Sequence, residues 1–364
     1  MRVKLKDVCE KGTSNLKQSD ILSMDGKYPV YGASGYLGKI DYYHQDKPYI
    51  AVVKDGAGIG RTTIHSSKSS VIGTMQYLIP KENVMPEYLY YVVKHMHLQK
   101  YYTGATIPHI YFKDYQNEEF NLANSNEQRE IVEVLKNVEN TIRYQQMEIN
   151  KFDQLIKARF IEMFGDILGD RTLPLVRLCE LADIGSSKRI YANEYAESGI
   201  PFYRSKEIRE LGTGLKPSIE LFIKQERYDE IKEKYGIPKV GDILIAAIGA
   251  TIGYSWIVDT ASPFYYKDGN LIILSIKDNV NPIFLNHAIG ILIEDFKKKG
   301  VGGSAQLALT IEKLEKMMVV NPELELQNQF ADFVQQVDKS REAVKKTLEK
   351  IQQVYDSLMQ EYFG

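Results

Sequence analysis

Between residues 125 and 165 the apolar or heptad-compatible positions are Ile131, Leu135, Val138, Ile142, Gln145, Ile149, Phe152 and Ile156. This 4-3-4-3 spacing keeps one narrow stripe on one side of a helix, as in a coiled-coil strand. Ser125-x-x-Gln128 has the form of a capping box and predicts the helix start there, and Gly165 supplies a stop. The rhythm returns at Phe330, Val334, Val337, Arg341, Val344, Leu348, Ile351, Tyr355, Leu358 and Tyr362. Gln128, Val138, Lys151, Gln154, Glu162, Phe164 and Gly165 reappear 199 positions later as Gln327, Val337, Lys350, Gln353, Glu361, Phe363 and Gly364. Two matched long helices imply an internal duplication in which each helix is the natural partner of the other. Gln145 and Arg341 interrupt the apolar stripe, and such polar breaks fix register at a cost in stability.

The segments before the two helices also correspond, and their pattern is that of short strands and turns. In the first, Tyr28-Pro-Val-Tyr-Gly begins a glycine-punctuated β region and Pro48-Tyr-Ile-Ala-Val-Val-Lys54 reads as a buried strand. Asp55-Gly-Ala-Gly-Ile-Gly60 then turns into Arg61-Thr-Thr-Ile-His65, a further strand is expected over 74–79, and Pro86 opens a helix through His97. In the second, Ile200-Pro-Phe-Tyr, Asp242-Ile-Leu-Ile-Ala-Ala-Ile248, Gly249-Ala-Thr-Ile-Gly253, Pro282 and Gly303-Ser-Ala-Gln-Leu follow in the same order. The offset grows from 170 at Cys9 and Cys179, through 193 at Gly60 and Gly253 and 196 at the prolines, to 199 in the helices. The second copy is thus the larger, with most of its extra length between Ser186 and Gly241. A kept framework with varied loops is what two similar domains with different ligands would show.

Composition adds boundaries. The chain has 364 residues, 44% hydrophobic and 26% charged, the profile of a globular protein with room for two domains. No apolar run approaches the ~18 residues of a membrane span, and the N-terminus has no signal-peptide pattern. The two cysteines occupy equivalent places, which favours small packed side chains over a disulfide or metal ligands and fits a reducing, cytoplasmic setting. The formal net charge of −2 argues against a strongly basic nucleic-acid binder, but residues 1–125 carry 15 Lys and Arg against 12 Asp and Glu. Local basic faces neutralise phosphates, so a near-neutral sum implies weak binding alone and reliance on partners.

No catalytic constellation stands out. Gly56-x-Gly58-x-Gly60 lacks dinucleotide-fingerprint spacing and precedes a strand, so it reads as a strand-to-strand turn. Asn281-Pro-Ile-Phe284 has part of the Asn-Pro-Pro-Tyr/Phe motif of amino-methyltransferases, but lacks the second proline and a glycine-rich methyl-donor loop; it reads as a helix start. The six histidines show no metal-type clustering, and His95-x-His97 would put its rings on different sides of a helix. No metal, cofactor or catalytic residue is therefore expected. The remaining candidates are turns that mix basic, hydroxyl and aromatic residues, as phosphate and base-edge contacts require. They lie at 31–39, 54–68, 104–113, 186–191, 203–206, 251–256, 265–270 and 297–306. The DNA-contact candidates are Tyr31, Ser34, Lys54, Arg61, Thr62, Thr63, Lys68, Thr106, His109, Tyr111 and Lys113 in the first copy. In the second they are Ser187, Lys188, Arg189, Arg204, Lys206, Tyr254, Lys267, Ser304 and Gln306.

The order domain-helix-domain-helix, the helix starts at Gln128 and Gln327, the Phe-Gly helix ends and the Tyr-Pro-Val-Tyr-Gly and Gly-Ala-Gly-Ile-Gly turns resemble the specificity subunit of type I restriction-modification systems. The resemblance spans the chain. It implies a mixed α/β fold with pseudo-two-fold duplication: target recognition domains at 1–125 and 166–321, and conserved spacer helices at 126–165 and 322–364 that pack antiparallel as a coiled coil. It further implies a non-catalytic subunit whose domains each read one half of a bipartite, asymmetric double-stranded DNA site. The helices would set the spacing and bind two methyltransferase subunits, with restriction/translocase subunits completing the complex. A non-catalytic protein-interaction scaffold with a coiled-coil core is the alternative, motivated by the near-neutral charge.

Overall fold

A computed structural model describes residues 1–21, 26–104, 107–169, 173–300 and 307–364. The chain divides into two compact units, Met1–Ile149 with Ala343–Gly364, and Asn150–Glu342. Each unit holds one α/β domain together with half of each long helix. The reason is packing: the helix halves complete the domain cores.

The two units share a strand topology. In the first, an antiparallel sheet runs in the order Cys9–Thr13, Met75–Pro80, Tyr49–Val53, Thr62–His65. In the second, the order Ala182–Gly185, Leu271–Ile276, Ile243–Ala246, Ser255–Ile257 repeats it. All of Tyr49–Val53 and Ile243–Ala246 is buried, as their unbroken apolar runs predict for central strands. A second small sheet in each unit contains one parallel pairing, Val30↔Ser70 in the first and Phe202↔Tyr265 in the second. Two further two-stranded ribbons, Arg2–Lys4 with Glu119–Asn121 and Leu175–Arg177 with Met318–Val320, close the domains next to their long helices.

Helix α1 (Pro86–His95) and helix α2 (Ser125–Phe164) belong to the first repeat. The extra length of the second repeat includes α3 (Ser205–Gly212) and α4 (Gln225–Tyr235), before α5 (Pro282–Gly300) and α6 (Leu324–Phe363). α2 and α6 have 40 residues each. α2 begins one residue earlier in capping register than the sequence suggests. The Asn124 Oδ1 accepts the backbone N–H groups of Asn126 and Glu127, both at 3.0 Å, and the Glu127 carboxylate accepts the Asn124 N–H at 2.9 Å. The box is thus Asn124-x-x-Glu127, which leaves Gln128 for another task.

Gln128 is 1% exposed and acts as a three-way tie. Its Oε1 accepts the Met85 N–H at 2.8 Å, while its Nε2 donates to the carbonyls of Asn83 at 3.1 Å and Ala123 at 2.9 Å. Met85 is the residue before α1, where backbone N–H groups have no intrahelical acceptor. Gln327, also 1% exposed, repeats the arrangement: its Oε1 accepts the Asn281 N–H at 2.9 Å and its Nε2 donates to the Pro322 carbonyl at 2.8 Å. The Asn281 side chain caps α5 through the N–H groups of Ile283 and Phe284, as a helix start should.

The expected apolar stripe is present but widens toward the helix ends. In the first unit Leu135 and Tyr355 are buried with Val132, Met359 and Phe363, against a core that includes Tyr88, Val92 and Tyr115. In the second, Ile156, Phe330, Val334 and Val337 are buried with Phe160 and Phe164 around Phe284. The Phe160 and Phe164 rings lie 4.9 Å apart, centroid to centroid, and each lies 4.9–5.9 Å from the rings of Phe284 and Phe330. Within this unit the helix halves run antiparallel: Asp153 meets Arg341 at 2.6 Å, and further along α2 Phe160 meets Phe330. Val132, Phe160, Phe164, Met359 and Phe363 lie off a strict heptad stripe because each helix end packs on a domain as well as on its partner. Arg341, one of the expected polar breaks, is ion-paired across to Asp153.

The first unit uses a polar cluster where the second uses rings. Lys94 Nζ lies 2.7 Å from Glu139 Oε1 and 3.0 Å from Tyr355 Oη, and Tyr91 Oη donates to Glu139 Oε2 at 2.9 Å. Burial alone would raise the Glu139 pKa, but Lys94 and the two phenols hold it below the ordinary carboxylate value. Position 287, which aligns with Tyr91, is a histidine packed edge-on to Phe330. Burial, aided by the Arg341 cation and opposed by Asp153, pushes its pKa from 6.5 to about 4. His287 stays neutral in the fold, so as pH drops below 6.5 the unfolded chain gains a proton that the fold refuses, and stability declines down to about pH 4. Thermal unfolding across that window should show a smaller acid-induced fall in Tm for His287→Gln than for the wild type. Equal falls would remove His287 from the acid response.

Candidate nucleic-acid interface

In the first unit the sequence candidates gather where three loops meet. The glycine turn after Tyr49–Val53 needs a left-handed backbone at Gly60, φ +79°, where a Cβ would stand 2.6 Å from the Gln99 backbone nitrogen. The loop around His109 is zipped to this turn: the Gly56 N–H donates to the Pro108 carbonyl and the Ile110 N–H to the Lys54 carbonyl, both at 2.9 Å. His109 Nδ1 lies 2.7 Å from Asp55 Oδ1, and Lys54 also contacts Asp55. Burial alone would raise Asp55, but Lys54 and His109 hold its carboxyl below the usual range. Tyr111 stacks on His109 with centroids 6.3 Å apart, and Lys113 Nζ sits 5.4 Å from the Tyr111 ring centre. Arg61 Nη1 donates to the Ala33 carbonyl at 2.9 Å, joining this group to the turn that carries exposed Ser34.

A second group continues along Thr62–His65. Thr62 Oγ1 donates to the Gly60 carbonyl at 3.1 Å, Thr63 Oγ1 lies 2.8 Å from His65 Nε2, and the Tyr31 ring packs 4.2 Å from the His65 ring. Burial pushes His65 down to about 4, so it carries no charge near neutral pH. Lys68 stands exposed at a left-handed φ of 58°, its N–H held by the Gln45 carbonyl at 2.8 Å. Thr106 lies outside the described residues. Exposed Tyr36 falls inside the candidate turn at 31–39 without being named there, and exposed Tyr42 and Tyr102 lie outside the candidate turns, their only signal an aromatic residue beside a turn.

The second unit gathers a different set. The Lys188 N–H donates to Tyr265 Oη at 2.7 Å, Arg189 pairs with Asp268 at 2.7 Å, and the Gly269 N–H reaches Ser186 Oγ at 3.5 Å. Lys188 Nζ lies 5.2 Å from the Tyr235 ring centre, and the Lys267 N–H is tied to the Tyr203 carbonyl at 2.9 Å. A cavity of about 550 Å³ opens here, lined by Ser186, Ser187, Lys188, Tyr235, Lys239 and Tyr265 among others. Tyr235, on the inserted α4, is a lining residue the sequence did not nominate. Tyr254 is exposed on the hairpin turn, apart from these contacts. Ser304 and Gln306 lie outside the described residues.

The charges divide the candidates. Arg204 bridges Glu207 and Glu220, each at 2.8 Å, and Lys206 pairs with Glu220 at 2.5 Å, so these two cations face two carboxylates. Lys54, His109 and Arg189 likewise lean on Asp55 or Asp268. Arg61, Lys68, Lys113, Lys188 and Lys267 form no ion pair among the described residues. The arrangement offers hydroxyls, phenols and scattered cations on short loops, suited to hydrogen bonding and weak phosphate attraction. Among the described residues no group of three or more His, Cys, Asp or Glu is placed to hold a metal, and no helix is long and apolar enough to cross a membrane. His95 and His97 come within 5.9 Å, centroid to centroid, because α1 ends at His95 and His97 adopts a left-handed φ of 50°. The expectation that their rings point apart fails for that reason.

The family profile described as type I restriction modification DNA specificity domain matches residues 1–152 and 173–353. A putative type I restriction enzyme specificity subunit of Haemophilus influenzae is 25% identical over 332 residues, covering 86% of this chain and 80% of the relative. The type I restriction enzyme MjaVIII specificity subunit of Methanocaldococcus jannaschii is 25% identical over 341 residues, 85% of this chain and 77% of its own length. In fold, the chain superposes on the type I restriction-modification S subunit from M. genitalium with a TM-score of 0.61 at 17% identity, over 100% of this chain and 96% of the other. A chain from a structure of complex assembly and conformational transition in the type I system gives the same TM-score at 14% identity, with 100% and 97% covered.

The zipped loops of the first unit make a prediction independent of any ligand. His109→Ala removes one of the two side-chain partners that the Asp55 carboxylate has among the described residues and should speed hydrogen exchange at the Gly56 and Ile110 amides, about tenfold for each ~1.4 kcal/mol of local stability lost. Unchanged exchange there would show that the backbone bonds alone hold the loops.

Proposed function

Because the chain belongs to the type I restriction-modification DNA specificity family, we propose that each of its α/β domains reads one half of a bipartite, asymmetric double-stranded DNA site. Specificity subunits are the non-catalytic, sequence-reading components of these systems, and methyl transfer and cleavage lie in partner subunits. The observation that carries the half-site reading is the duplication itself. One strand topology occurs twice, with different loops on each copy: a zipped His109 loop in the first, and an inserted α4 with its cavity in the second. Equivalent frameworks with unlike loops suit two different words, as symmetric dimers suit repeated ones.

The helices act as spacer and docking post. At ~1.5 Å per residue, 40 residues span roughly 60 Å, against ~34 Å for one turn of duplex, so half-site centres a turn or slightly more apart fall within reach. Two methyltransferase subunits dock on the helices, and restriction/translocase subunits complete the assembly in the cytoplasm. The near-neutral charge and the internally paired cations make the isolated subunit a weak binder that gains its affinity in the complex.

Selection from randomised duplex by the assembled complex should return two short words at one fixed gap, and a continuous site or no preference would overturn the reading. Arg61→Ala or Lys113→Ala should weaken DNA binding across sequences and lower the salt slope by about one each. Lys206→Ala, with its charge already balanced by Glu220, should have a smaller effect. Affinity that ignores salt in the wild type would favour the protein-interaction scaffold instead.

A further inference from the structure

The two buried glutamines stand out as polar groups placed where an aliphatic side chain would fill the same space. Burying a primary amide costs free energy unless its donors and acceptor are matched. Gln128 matches one acceptor and both donors, and it does so on three separate pieces of backbone: the loop before α1 at Asn83, the residue before α1 at Met85, and the link into α2 at Ala123. Gln327 meets the equivalent pieces at Asn281 and Pro322. Methionine could supply the volume, but only an amide supplies direction. Each glutamine therefore fixes the angle at which a long helix leaves its own domain.

We propose that Gln128 and Gln327 are positioning residues for the gap between the two half-sites. Each holds its domain in one orientation on its helix, so losing the amide loosens the gap and leaves both words intact. The proposal rests on the half-site reading above, and it adds to that reading the residues that make the gap a single length. The tie to the residue before the domain helix and to the link into the long helix is kept in both units, at positions 199 apart. A merely structural residue in the same place would lower stability without altering which gap is preferred.

The test uses the complex assembled with its methyltransferase subunits. Duplexes carrying both words with gaps of varied length are offered to the wild type, Gln128→Met, Gln327→Met and a control, Val92→Ala. Val92 is buried in the core against which α2 packs but offers no directional bond. The wild type should select one gap. Each methionine variant should lose roughly tenfold of its preference for that gap over its neighbours, the scale of one or two lost hydrogen bonds, with both words unchanged. Val92→Ala should lower Tm and keep the gap preference. If Gln128→Met does not fold, Gln128→Glu, which keeps the acceptor for Met85 and loses donated bonds, is read in the same way, as is Gln327→Met. Variants that keep the wild-type gap preference, or change a word, overturn the positioning role. A wild type without two words at a fixed gap overturns the half-site reading itself, and the two failures are thereby told apart.

Discussion

A buried side-chain amide at the head of each long helix is the constraint on which the rest depends. Gln128 and Gln327 tie the start of α2 and α6 to the start of α1 and α5, and those tied ends then sink into the domain cores. The compact units are therefore domain plus two half-helices, and each half-helix adds large side chains to the domain core. Phe160 and Phe164 close the core of the second unit, and Tyr355, Met359 and Phe363 close that of the first. A helix held by such packing needs little intrinsic stability of its own.

The two cores reach the same geometry with different chemistry. One uses the Lys94–Glu139–Tyr355–Tyr91 cluster, in which a lysine and two phenols satisfy a half-buried carboxylate. The other uses four phenylalanine rings beside a neutral histidine. The loops diverge further still. Carboxylates inside the loop clusters, at Asp55, Asp268, Glu207 and Glu220, neutralise neighbouring cations and hold side chains in place. That pattern favours orientation over bulk attraction, as specificity requires.

Much of this was legible in the sequence, because repeats and periodicity are physical signals. The 199-residue offset, the buried run at Tyr49–Val53 and the turn ending at Gly60 all appear where the pattern places them. The family resemblance drawn from helix starts and ends agrees with the matched profile. Other features were not legible, for definite reasons. Ser125 and Asn124 are equally good caps on paper, and only the burial of Gln128 decides between them. His95 and His97 approach each other because the helix ends at His95, two residues sooner than the sequence implies, and His97 turns left-handed. Arg204 and Lys206 look like free cations until Glu207 pairs with the first and Glu220, on the loop 14 to 16 residues on, folds back on both. The heptad stripe described the middle of the helices well and their ends poorly, since it records a helix partner and not a sheet beneath.

The claim at the centre is that each domain reads its own word independently of the other. The most direct measurement replaces the first α/β domain with that of another specificity subunit, joined at Gln128, and maps the methylated sites of the assembled complex. The account predicts one new word, one unchanged word and the original gap. A change in both words, or in neither, would contradict it.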